Sequence, residues 1–345
     1  MLTEAMVIEG HGGPEVLVKK EIELGAAGPR QVKVRVRAVA LNHLDLWVRR
    51  GGPAFKLEYP HRLGSDMAGE VEEVGPGVSN VAVGDRVMVQ PGISCQTCGM
   101  CLSGRDNLCK QYKLMGENTQ GGYSRHVIVP DVNVVKMGND LPYTDAAAAP
   151  LCTLTAWQMV VGKGQVRAGQ TVVVHAAGSG VSTVAIQLCK LLGARVIATT
   201  SSPEKVGRAR EVGADEVILT SEQDYTAQVK KLTQREGPNV IIDHLGGELL
   251  EKAVTVIGRG GRIVTCGATA GFFAKVDLRH VFFRQVEILG STMGSKSVLL
   301  EALPLLQTGA LRPVVDHVLP LWEAKRAHEL LEGRKVFGKV VLTVE

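Results

Sequence analysis

The chain reads as an α/β protein in two parts, a β-rich domain and a doubly wound parallel sheet, and three features of the sequence predict it. Up to about residue 145, short alternating segments such as Val32, Val34 and Val36 are punctuated by turn signals at Gly51-Gly52-Pro53, Gly75-Pro76-Gly77 and Gly121-Gly122, the texture of a twisted antiparallel β domain. From about Leu151, continuous apolar runs at 171–176, 195–200, 216–219, 240–243, 262–266 and 286–289 alternate with helical stretches. Strands joined by helical crossovers make a parallel sheet wound in both directions. After Gly290 the alternation stops, and a helix near 297–307 with a strand near 339–344 predicts a tail that returns to the first domain. The expected domains are 1–148 with 292–345, and 149–291.

Composition agrees with this and excludes other classes. A chain of 345 residues with 45% hydrophobic and 21% charged residues buries a full core. The net charge of +4 is dispersed, with Lys and Arg interleaved among Asp and Glu, so no basic block points to nucleic acid. No run approaches the roughly 18 apolar residues of a membrane span, and residues 1–10 lack a signal-peptide layout. A cytoplasmic enzyme or binding protein with no membrane partner is expected.

The turn after the first apolar run is the first chemical signal. TVVVHA passes into AAGSGVS and then a helix, so Gly178, Ser179 and Gly180 lie where a helix N-terminus presents free N–H groups. Such a place holds a pyrophosphate. The strict G-x-G-x-x-G frame is incomplete, because Thr183 stands at the third glycine. The second strand ends in VIATTSSPEK, with no acid at the ribose-binding position. Thr200 and Ser201 offer hydroxyls there and Lys205 follows. A carboxylate about 4 Å from a 2′-phosphate would cost on the order of 4 kcal/mol per unit charge at a dielectric of 20. NADPH and NADH are both admitted, with NADPH slightly favoured.

The second signal is C-x-x-C-x-x-C-x7-C. Cys95, Cys98, Cys101 and Cys109 bring four thiolates from one short lobe, about 92–112, as a closed tetrahedral zinc site requires. An iron–sulfur cluster is the rival reading. Four protein ligands leave no open position, so one structural zinc per chain is expected, without chemistry of its own. Cys152, Cys189 and Cys266 lie in or beside apolar segments and read as core residues.

With both motifs in place, the whole chain resembles the medium-chain dehydrogenase/reductase superfamily, and most nearly its quinone oxidoreductase-like branch. ALNHLD at 40–45, GSDMAGEVEEVGPGV at 64–78, GDRV at 84–87, PLCTLTAWQ at 150–158 and LGSTMGSK at 289–296 carry the likeness beside the two motifs. The resemblance implies a GroES-like catalytic domain joined to a Rossmann domain. Alcohol dehydrogenases of that superfamily hold a catalytic zinc through a cysteine in C-x-[ST]-D, a histidine in GHE and a later cysteine. Here Asn42 occupies the first position, Ser65 and Asp66 replace the His-Glu pair, and the third falls at or beside Leu151 and Cys152. Leu44 stands at the proton-relay hydroxyl. A catalytic zinc is not expected.

Reduction of an activated double bond survives those losses, because the enolate formed by hydride addition needs hydrogen-bond donors rather than a Lewis acid. The resemblance implies Asn42 and Ser65 near that charge, Asp45 orienting the turn, and cofactor contacts from His43, Thr155, Gly180, Val181, Leu245-Gly246, Gly267-Ala268, Thr292-Met293 and Lys339. Asn42 also reads as an N-cap of the following helix. Tyr59, His61 and Tyr123 are further candidates for a proton donor or a pocket wall. The expected activity is NAD(P)H-dependent reduction of an enoyl-CoA thioester, enone or quinone. A zinc alcohol dehydrogenase and a non-catalytic NADPH-binding regulator are the alternatives. A small-molecule substrate is implied, with a CoA thioester among the candidates, and a homodimer formed through the sixth strand near 286–290.

Overall fold

A computed structural model describes residues 1–53 and 55–345. Its contacts divide the chain into two units, Met1–Cys152 with Ser295–Glu345, and Thr153–Gly294. These boundaries lie a few residues beyond the expected ones, because the helix Pro150–Trp157 runs unbroken through the first of them. Among the described residues no helix is long and apolar enough to cross a membrane.

In the first unit a seven-stranded sheet is ordered Val315–Pro320, Lys339–Thr343, Gln31–Ala40, Asp66–Val74, Arg86–Val89 and Val134–Lys136, with His126–Pro130 also pairing Gln31–Ala40. Val32, Val34 and Val36 alternate into a core shared with Val71, Val87, Val127 and Leu342, as their period of two requires. The register of Gln31–Ala40 against Asp66–Val74 shifts twice, near Lys33/Val34 and Val36/Ala38, and such bulges bend a strand. Gly69 lies at the second shift, where a Cβ would fall 2.0 Å from the Arg35 carbonyl oxygen. Only glycine fits there. The tail joins this sheet: Lys339–Thr343 pairs antiparallel with Gln31–Ala40, Val341 opposite Ala40.

In the second unit six parallel strands, Thr171–Val174, Arg195–Thr200, Glu216–Leu219, Val240–Asp243, Arg262–Thr265 and Glu287–Gly290, follow the spatial order third, second, first, fourth, fifth, sixth. The winding reverses between the first and fourth strands. That is the switch point at which open α/β sheets bind ligands, beyond the strands' carboxyl ends. Val173, Ile197, Ile218, Ile241 and Ile263 form the interior of this unit's core, matching the uninterrupted apolar runs of strands buried on both faces.

Candidate active site, zinc lobe and dinucleotide turn

Asn42 ends the extended chain after Gln31–Ala40 and caps the helix His43–Arg50. The cap is made by Asp45: its Oδ2 accepts the Asn42 N–H at 2.7 Å, and its Oδ1 accepts the Gly64 N–H at 2.8 Å. Both carboxylate oxygens are thus spent on backbone. Asp45 thereby holds the turn, and it is 1% exposed. Burial pushes its pKa up to about 6, against the lowering effect of the Asn42 and Gly64 N–H groups.

The Asn42 amide also faces a buried ion pair. Its Nδ2 donates to Asp66 Oδ2 at 2.8 Å, while its Oδ1 accepts from Lys339 Nζ at 2.6 Å. Lys339 also donates to Asp66 Oδ2 at 3.0 Å, and Asp66 Oδ1 accepts the Leu151 N–H at 2.8 Å. Asp66 is 0% and Lys339 3% exposed. An amide carries two N–H donors and an ammonium three, so one hydrogen on each remains for a ligand. Beside Asp66, the Ser65 hydroxyl is fully buried and has no hydrogen-bond partner among the described residues. Such orphaned groups are rare in native cores.

This donor set does not suit a catalytic zinc. Cys152 Sγ, next in sequence to Leu151, donates to the Ala148 and Ala149 carbonyls at 3.0 and 3.3 Å, at the end of the preceding helix. It is Leu151, through its backbone, that meets Asp66. An amide, a hydroxyl and a carboxylate already paired with an ammonium do not replace three strong ligands and a water.

The cysteine lobe suits a structural zinc closely. Four Sγ atoms, from Cys95, Cys98, Cys101 and Cys109, lie within 4.8 Å of one another, with Cys95–Cys101 at 3.8 Å and Cys98–Cys101 at 3.6 Å. Zinc bonds of about 2.3 Å in a tetrahedron set sulfurs about 3.8 Å apart. An iron–sulfur cluster, with its thiolates on separate irons, needs wider spacing. Backbone contacts from Thr97 and Cys98 bring the Cys95 thiol down to about 6, towards the thiolate that binds metal. The lobe is anchored by Asp106, whose Oδ1 accepts the Lys296 N–H at 3.0 Å at the start of the helix Lys296–Gln307. The sequence reading had no signal for that anchor, since the partners lie 190 residues apart.

In the second unit, Ser179 caps the helix Gly180–Leu191, and Val181 stands in its first turn. The left-handed residue of the turn is Ala176, with φ 47°, while its N–H is held by Thr199 Oγ1 at 3.1 Å. The free N–H groups at this helix start fit a pyrophosphate. Thr200 Oγ1 accepts the Ser202 N–H at 3.2 Å, which shapes the strand end beside exposed Ser201 and half-buried Lys205. Gly246 has φ 68°, and a Cβ on it would meet the Gly271 carbonyl at 2.5 Å. Leu245 and Gly267 leave the fourth and fifth strands on that same side, followed by Ala268. Thr155 is buried, its hydroxyl 3.9 Å from the sulfur of Met293, which is itself left-handed at φ 47°. Backbone strain of this kind gathers at ligand sites; Thr292 precedes it.

Other candidates are engaged elsewhere. His43 is exposed and edge-on to Trp47. Tyr59 is exposed, the His61 ring bonds the Gly116 carbonyl at 3.2 Å, and buried Tyr123 bonds His328 at 3.0 Å. The His328 ring in turn meets Arg49 at 3.0 Å, and burial brings its pKa down to about 3. Tyr123 and His61 are parts of the core scaffold.

The comparisons with known proteins agree with this construction. Residues 28–139 match the alcohol dehydrogenase GroES-like domain and residues 180–308 the zinc-binding dehydrogenase family. The chain is similar to a quinone oxidoreductase of Pseudomonas aeruginosa, 32% identical over 96% of this chain and 97% of the relative. A 2-haloacrylate reductase of a Burkholderia species is 30% identical over 98% of each. A crystal structure described as an NAD-dependent alcohol dehydrogenase superposes with a TM-score of 0.96 at 48% identity, over 99% of this chain and 100% of that one. The chain belongs to the medium-chain dehydrogenase/reductase superfamily and is an NAD(P)-dependent oxidoreductase.

Proposed function

We propose that this chain reduces activated C=C bonds, in enoyl thioesters, enones or quinones, with hydride from NAD(P)H and without a catalytic metal. The buried Asn42–Asp66–Lys339 cluster carries the reading: it offers donors and a fixed positive charge where a metal-dependent enzyme needs soft ligands. When bound, NAD(P)H would supply the hydride that adds to the β-carbon. The chain's part is to hold the enolate that results. The remaining Asn42 amide hydrogen, the third Lys339 N–H and the unpartnered Ser65 hydroxyl are preorganised donors for its oxygen, and such donors cost no reorganisation at the moment of reaction. Asp45 keeps Asn42 and Gly64 in place for them.

NADPH is the slightly favoured coenzyme, since the second strand ends in Thr199 and Thr200 with no carboxylate there to repel a 2′-phosphate. The working form is a homodimer. Phe272, Phe273, Leu278, Phe282, Phe283 and Ile288 are exposed within seventeen residues, and the edge strand Glu287–Gly290 has one free side. A second copy of the same strand satisfies both, because an edge strand pairs readily with its own kind.

The alcohol dehydrogenase reading is favoured by the names of several relatives, the 48% identical structure among them. Oxidation of NADPH and NADH by a short enoyl-CoA, an enone, a quinone and an aldehyde, with zinc content on the same sample, decides between them. One zinc and turnover of conjugated acceptors are expected; two zincs per chain with aldehyde or alcohol turnover would sink the proposal.

A further inference from the structure

A buried polar clasp closes the switch point of the second unit. His175 follows the first strand and Asp243 ends the fourth, the two neighbours between which the winding reverses. His175 Nδ1 lies 2.9 Å from Asp243 Oδ1, and His175 Nε2 lies 3.0 Å from the Tyr225 hydroxyl. An ionised carboxylate only accepts, so His175 Nδ1 carries the hydrogen shared with Asp243. Both His175 and Asp243 are 0% exposed. No solvent reaches this pair.

The clasp reaches the loops that follow the fourth and fifth strands, two of those expected to carry the dinucleotide. Asp243 Oδ1 also accepts the Leu245 N–H at 3.2 Å; its Oδ2 accepts the Gly246 N–H at 3.1 Å and the Thr265 hydroxyl at 3.2 Å. A second link runs alongside. Ser182, in the first turn of Gly180–Leu191, donates to the His175 carbonyl at 2.7 Å, and its oxygen lies 3.0 Å from His244 Nε2. The Gly178–Gly180 turn, the 244–246 loop and the end of the fifth strand are thereby held by one connected network. Ladder bonds between the first and fourth strands fix the sheet itself. Backbone bonds from Thr269 and Ala270 to the His244 and Leu245 carbonyls join the loops after the fourth and fifth strands, and these side chains add the link to the first.

We infer that His175, Asp243, Tyr225 and Ser182 are positioning residues that set the width of the dinucleotide site from beneath, without touching the cofactor. The inference rests on nicotinamide nucleotide binding and is independent of which substrate is reduced. A misplacement of about 1 Å at a binding loop suffices to cost orders of magnitude, and a buried hydrogen bond to a charged group is worth about tenfold or more in an equilibrium constant.

Calorimetric titration of NADPH and NADH into the full chain tests it, on wild type, His175→Ala, His175→Asn and Ser182→Ala, with zinc content and melting temperature alongside. His175→Ala is expected to weaken nucleotide binding about tenfold or more, and His175→Asn, which keeps a donor towards Asp243, to recover part of that loss. In steady state the KM for the nucleotide rises more than kcat falls. Ser182→Ala, a single hydroxyl, keeps the test open where His175→Ala fails to fold, and is expected to weaken binding several-fold. Folded variants that bind within twofold of wild type overturn the inference, as does a loss in His175→Ala that His175→Asn does not relieve. A wild-type chain that binds neither nucleotide overturns the cofactor reading itself.

Discussion

Lys339 Nζ donates to Asn42 Oδ1 at 2.6 Å and to Asp66 Oδ2 at 3.0 Å, so three residues separated by most of the chain's length form one buried group with a single positive charge held against a single negative one. Removing the cation leaves the carboxylate buried without it. Lys339→Met is therefore expected to cost about 3 to 5 kcal/mol of stability by chemical denaturation and to lower kcat on conjugated acceptors by about a hundredfold or more. The double variant Lys339→Met with Asp66→Asn should regain part of the stability and none of the rate, a non-additivity expected of residues in contact.

Ser65 makes the opposite prediction. Its hydroxyl is buried without a partner, so Ser65→Ala should leave the melting temperature unchanged or raise it, since an unsatisfied buried hydroxyl costs about 1 to 3 kcal/mol. If the hydroxyl serves the enolate, kcat falls by about ten- to a hundredfold. An unaltered kcat would remove Ser65 from the mechanism.

Asp45 links the cap to pH. Its folded pKa lies near 6, raised from 3.8, so the folded state holds the proton more tightly than the unfolded chain. The resulting contribution is fully present below about pH 4 and is lost as pH rises through 6, amounting to about 3 kcal/mol. Urea titrations at pH 4, 5 and 7 on wild type and Asp45→Asn should show the wild type losing more stability than the variant over this window. Parallel pH dependence in the two proteins would assign the carboxylate an ordinary pKa.

Zinc removal should act on the lobe and its anchor. Ordering energy of about 10 kcal/mol or more rests on the metal in such peptides, and the lobe's large apolar residues Met100, Leu102 and Leu108 are exposed. A strong chelator, or Cys109→Ser, is expected to open residues 92–112 to proteolysis and to release one zinc per chain. Asp106→Ala, which frees the Lys296 N–H, should speed zinc release while leaving the stoichiometry at one.

The apolar edge gives a quaternary test. Ile288→Glu combined with Phe282→Glu should convert a dimer to monomers in sedimentation velocity. A monomeric wild type would refute the proposed pairing.

The six strands of the parallel sheet were readable almost to the residue. Strands buried on both faces must be apolar throughout, and Arg195–Thr200, Glu216–Leu219 and Val240–Asp243 are bounded by polar or glycine turns. The cysteine lobe was equally plain, because four cysteines within fifteen residues meet whatever surrounds them. These are local properties, and the sequence by itself determined them. The partners of Asn42 were not local. Lys339 lies 297 residues away and reaches Asn42 only because the tail pairs with Gln31–Ala40, and the sequence reading assigned it to the cofactor. The clasp of His175 with Asp243 and Tyr225 was invisible for the same reason: a histidine inside an apolar run shows its meaning only when strand order sets the first strand against the fourth. Tertiary structure alone decided that the Asn42 side chain meets the Asp66–Lys339 ion pair, since which hydrogen bond a side chain makes depends on what the fold brings within about 3 Å of it.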